Sequence, residues 1–119
     1  MRIPLCLAFL GGALSAFPQS IDWNKVNEEA MRNYQSLVQI DSTATEARVA
    51  EFVKKTLEAE GIPVTVVSKD PARPNVIARI KGNGSKKPFL IMGHSDTVKV
   101  DPSKWTFPPF SATRNGGFV

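Results

Sequence analysis

Four consecutive large apolar residues, Phe89-Leu90-Ile91-Met92, constrain this chain more than any other stretch. They leave no polar face, which predicts a strand buried on both sides rather than one lying half in water. The run stops at Gly93, where the backbone can turn or approach a neighbour without a Cβ in the way. His94, the sole histidine, follows at once, and Asp96 stands two residues further on. A potential metal ligand and a potential partner for it are thus expected where a buried strand emerges. In open α/β sheets, crevices at such strand ends bind ligands.

The 119 residues suffice for one small domain with a real core, not for two. Lys and Arg number 15 against 11 Asp and Glu, giving a net charge of +4. The basic residues form no cluster larger than Lys54-Lys55 or Lys86-Lys87, and no aromatic residues interleave with them. Nucleic acid is therefore not an expected partner, and the charges read as solvated faces and loops.

The N-terminus differs in kind. Met1-Arg2 is a minimal positive region, Ile3 to Leu10 is apolar apart from Pro4, and Gly11 to Ala16 is rich in small residues. This predicts a signal peptide over residues 1–16, cleaved near Ser15 or Ala16, and a secreted or periplasmic product over 17–119. The apolar run is too short to span a bilayer, so no stable membrane span is expected after cleavage. Cys6, the one cysteine, lies inside this segment, so disulfides contribute nothing to the mature chain. It sits at the start of the apolar region, not at its end, which rules out a lipoprotein reading.

Asp22 is the expected N-cap of a helix running to about Ile40, with Val26, Ala30, Tyr34, Leu37 and Val38 forming a core-facing stripe. Thr43 and Glu46 have the spacing of a capping box that opens a second helix ending near Glu60. Val49, Ala50, Val53 and Leu57, with Phe52 alongside, are its expected buried face, and Gly61 its left-handed stop. Strands are expected at Val64 to Ser68 and Asn75 to Lys81, the second antiparallel to Pro88–Gly93 across the Gly82–Ser85 reversal. Trp105, Phe107 and Phe110, set among Pro102, Pro108 and Pro109, predict a stiff loop with buried aromatic anchors. Asn115-Gly116-Gly117 is a turn signal, with Phe118-Val119 as the start of a further strand.

On an extended segment residues i and i+2 point to one side, so His94 and Asp96 can converge. A carboxylate bonded to the second ring nitrogen fixes the tautomer of a metal-binding imidazole. From the residues alone a plain alternative is stronger: a histidine at a strand end and an aspartate bonding its own turn. A structural zinc site needs four protein ligands and a catalytic one usually three, which one histidine cannot supply. Gly93-His94-Ser95-Asp96 lacks the Gly-x-Ser-x-Gly pattern, and no second histidine can act as base, so a serine hydrolase is excluded.

Phe89 to Val98, followed by Trp105 to Thr113, resembles the M20 metallopeptidase family, the group of aminoacylase, carboxypeptidase G and succinyl-diaminopimelate desuccinylase. Leu37 to Ser42 and Glu46 resemble the family's opening helix and the restart after it, so the likeness covers residues 22–119. It implies an α/β fold, a zinc-peptidase-like mixed sheet flanked by helices. It also implies two zinc ions (or cobalt in their place), His94 as ligand to one of them, and Asp96 as the catalytic residue that orients His94. Substrates would be small peptides or N-acyl amino acids, and a lid domain would join two copies into a homodimer. The tight Ser42-Thr43-Ala44-Thr45 stretch departs from a family pattern that often carries an insertion there. The bridging aspartate, Glu-Glu pair, distal histidine and lid of the family have no counterparts in this chain, which reads as the N-terminal part of a longer enzyme. The alternatives are a non-catalytic α/β fragment and a binding protein without a complete metal site.

Overall fold

The structure, a computed structural model, describes residues 20–119; the expected signal peptide lies outside the described residues. Helix α1 spans Trp23–Val38 and α2 spans Ala47–Ala59. Strands β1 (Val64–Val67) and β2 (Asn75–Ala78) pair antiparallel, with Val64 opposite Ala78 and Val67 opposite Asn75. The α/β class expected from the sequence is met by these two helices and this sheet. No described helix is long and apolar enough to cross a membrane.

Helix α1 begins where Asp22 accepts hydrogen bonds from the amides of Asn24 (3.2 Å) and Lys25 (3.3 Å), satisfying donors that a helix start leaves orphaned. Helix α2 ends as Gly61 enters the left-handed region at φ +72°, its amide bonding Glu58 O and the next amide bonding Leu57 O. That pair of bonds is the Schellman arrangement, open to glycine because it has no Cβ to clash. Helix α2 packs on both strands, and Val49 and Ala50 are its buried residues. Charged residues line the outer helical faces, as in the Glu51–Lys55 pair at 2.7 Å.

Several expectations are corrected. The stripe along α1 is not buried: Val26 and Tyr34 are exposed, and Leu37 and Val38 are half-covered. Periodicity marks which face could be buried, and no described element covers this one. Phe89–Met92 forms no strand, and its four side chains are 79–85% exposed. A strand needs a neighbour for its backbone groups, and among the described residues this run has none. Gly93 likewise needs no special freedom, since a Cβ there would meet nothing within 4 Å. Trp105 and Phe107 are exposed rather than anchored, while Phe110 is half-buried; the loop before them contains one short 3-10 turn, Pro102–Lys104.

The capping box is also replaced. Thr43 gives its amide to the Asp41 carboxylate at 2.9 Å. Thr45 instead stands at the head of α2, its hydroxyl accepting from the Ala47 amide (3.2 Å) and donating to Ala72 O (2.9 Å). Glu46, only 5% exposed, turns inward and pairs with the Arg73 guanidinium. The Glu46 amide also bonds Ala72 O at 3.1 Å, so the head of α2 is clasped to the connection between β1 and β2. A buried carboxylate gains more from a guanidinium than from a solvated amide at an exposed helix start.

Arg73→Ala would leave the Glu46 carboxylate buried without its cation. Because Arg73 is itself half-exposed, the expected loss is about 1–3 kcal/mol, below that of a fully buried pair. Urea unfolding should show this loss, with part of it recovered in Glu46→Gln/Arg73→Ala. An unchanged midpoint in Arg73→Ala would mean that the pair contributes nothing.

Candidate functional site

One residue of the α1–α2 connection, Ser42, bonds the segment that carries His94. Ser42 is the most buried side chain described, at 1% exposure. Its hydroxyl donates to Ser95 O at 2.7 Å and lies 3.2 Å from Thr97 Oγ1. A serine hydroxyl has one proton to give, so Thr97 is the donor in the second contact. Beside it, Asp41 closes a turn by accepting from the Thr43 amide. That bond, then the side-chain bond from Thr43 and attraction to Arg48, holds the Asp41 carboxyl below its ordinary range.

The segment so tied presents His94 and Asp96 to solvent. His94 Nδ1 and Asp96 Oδ1 are 2.9 Å apart, the convergence expected of residues two apart on an extended chain. An ionised carboxylate only accepts, so in the neutral ring Nδ1 carries the proton and Nε2 the lone pair. Nε2 is the nitrogen left to bind a metal, and the imidazole is 86% exposed. No group of three or more His, Cys, Asp or Glu suited to a metal occurs among the described residues. The described residues therefore do not complete a zinc centre around His94.

An open cleft of about 410 Å³ lies beside Asp41 and Thr43, lined also by Lys99, Val100, Pro102, Pro109 and Phe110. His94 and Asp96 are not in its lining. At its Phe110 wall the chain is strained: Phe110 and Ala112 have φ values of +62° and +51°. Left-handed backbone costs roughly 1–2 kcal/mol for each such residue, so something must hold it. Gln35 of α1 and Gln39, its C-cap, do so, donating to Ala112 O (3.0 Å) and Ser111 O (3.4 Å). Sequence reasoning missed these glutamines, although their i, i+4 spacing puts them on one helical face. It also missed what Ser42 does, because a serine between two helices is ordinary.

Against curated proteins, 74 residues are 39% identical to a probable succinyl-diaminopimelate desuccinylase of Staphylococcus epidermidis, covering 60% of this chain and 18% of that protein. Sixty-eight residues are 37% identical to the acetylornithine deacetylase of Vibrio campbellii (56% of this chain, 17% of that protein). The acetylornithine deacetylase of Vibrio atlanticus is 30% identical over 91 residues, 69% of this chain and 23% of its own length. The chain thus spans about a fifth of the length of these relatives. No family model and no solved structure matches it.

The lowered Asp41 value sets a pH dependence for the connection that carries Ser42. A carboxyl with a depressed folded-state value contributes stability that is present above its unfolded value and lost as pH falls through the folded one. The Asp41–Thr43 turn is therefore expected to hold at neutral pH and to open only below the ordinary carboxylate range. The Thr43 amide resonance, followed through an acid titration, checks this, and movement at ordinary carboxylate pH would count against it.

Proposed function

We propose that this chain contributes to the metal centre of a zinc-dependent hydrolase that cleaves amide bonds in small peptides or N-acylated amino acids. The observation that carries the reading is the His94 Nδ1–Asp96 Oδ1 contact, which leaves Nε2 free toward solvent. Partial identity to a deacetylase and a desuccinylase, both named for removing an acyl group, supports the substrate class. His94 is the ligand, and Asp96 holds the Nδ1 proton and so keeps the Nε2 lone pair facing outward. Zinc, or cobalt in its place, would polarise the amide carbonyl and activate water. The other ligands and the general base fall to residues outside this sequence. In the same reading, residues 1–16 are a signal peptide, 17–119 are the N-terminal part of the catalytic domain, and the product is secreted or periplasmic. The second reading, a non-catalytic α/β fragment, rests on the single histidine, short of the three ligands that a catalytic zinc usually has.

Zinc titration followed through the His94 imidazole resonances separates the two readings. The expected result is weak binding at Nε2 in the wild-type chain, weakened about 10–100-fold in Asp96→Asn. Zinc that leaves the His94 resonances unmoved would favour the non-catalytic fragment.

Export is checked by N-terminal sequencing of protein recovered from the host's periplasm or medium. A mature start just after Ser15 or Ala16 is expected. Soluble cytoplasmic protein that keeps Met1 or Arg2 would sink the export proposal.

A further inference from the structure

Ser42 lies 53 residues before Ser95 in the chain, yet its hydroxyl ends 2.7 Å from the Ser95 carbonyl oxygen. That carbonyl belongs to the peptide joining Ser95 to Asp96, so the bond fixes a peptide plane between the two members of the His94–Asp96 pair. The Thr97 hydroxyl at 3.2 Å adds a second hold just beyond Asp96. The need for such a hold is plain from exposure. His94 and Asp96 are 86% and 57% exposed, so neither side chain is fixed by packing. The run before them, Phe89–Met92, has no strand partner among the described residues and cannot set their orientation. Ser42 is itself held rigidly, at 1% exposure, between the Asp41 turn and the head of α2.

We propose that Ser42 is a positioning residue for the metal-binding histidine: through Ser95 O it holds the His94-Ser95-Asp96 backbone in the shape that keeps Nδ1 on the Asp96 carboxylate and Nε2 free for a metal ion. The inference rests on the zinc-hydrolase reading for its purpose, but the geometric claim stands apart from it. Ser42 does not touch a substrate or a metal. It acts through the Ser95–Asp96 peptide that lies between His94 and the Asp96 side chain, and the α1–α2 connection becomes part of the site although it supplies no ligand. Loss of the hydroxyl frees the peptide plane, and an exposed imidazole then samples rotamers in which Asp96 no longer fixes its tautomer.

The test uses the full 119-residue chain, with ¹⁵N resonances of the His94 ring recorded at alkaline pH, where imidazole is neutral. In the wild type, Nδ1 should appear protonated and Nε2 unprotonated, and Asp96→Asn should abolish that preference. Ser42→Ala should shift the tautomer mixture toward that of Asp96→Asn and raise the zinc concentration needed to perturb Nε2 by about tenfold. Ser42→Thr, which keeps the hydroxyl, should restore the wild-type tautomer. If Ser42→Ala loses its helices by circular dichroism, Ser42→Thr decides: a wild-type tautomer supports the proposal and the Asp96→Asn mixture overturns it. A folded Ser42→Ala with wild-type ring resonances also overturns it. Zinc that perturbs no ring resonance in the wild type strikes at the zinc reading alone, because the tautomer comparison is made without metal.

Discussion

The hydrogen bond from Ser42 to Ser95 O joins two parts of this protein that share little other packing. On one side are the helices and the two-stranded sheet, where α2 lies on β1 and β2. On the other is the long irregular stretch from Arg79 through Val100, which forms no regular element. A bond between residues so far apart must overcome the cost of closing the loop between them, and that cost grows only slowly with loop length. Ser42 is buried because its neighbours on both sides are already committed, Asp41 to a turn and Thr45 to the head of α2. The Ser95 carbonyl next to the candidate ligand is therefore held from turn chemistry far away in sequence.

Much the same logic holds at the other end of the connection. Gln35 and the cap residue Gln39 reach two carbonyl oxygens of a left-handed stretch around Ala112, itself one of the few buried apolar residues among those described. With an apolar core this small, side-chain to backbone bonds carry tertiary information that hydrophobic burial carries in larger domains. Glu46 and Arg73 make the same point within the α2–hairpin unit, where a buried carboxylate and a guanidinium tie a helix head to a loop.

The exposed run Phe89–Met92 is the clearest conflict between local pattern and tertiary environment. Its composition suits a buried strand, and its surroundings among the described residues offer neither a pairing edge nor a covering layer. Burial is a property of what lies opposite a side chain, and hydrophobicity alone cannot provide the opposing surface. The same reasoning accounts for the bare stripe on α1 and for the exposed Trp105 and Phe107.

Signals that act within a few residues were legible in the sequence: the Asp22 cap, the Gly61 stop, the presence of both helices and of the two short strands (though not that those strands pair with each other), and the closeness of His94 to Asp96. Each depends on backbone geometry that a short window specifies, such as a freed amide, a left-handed φ, or a two-residue repeat along an extended chain. Tertiary structure decided the rest. It turned Glu46 from a capping partner of Thr43 into the buried mate of Arg73, and it made Ser42 the anchor of the His94 segment. It also left Phe89–Met92 without a partner among the described residues. Those outcomes depend on which groups meet across dozens of residues, and no local window contains both members of such a pair.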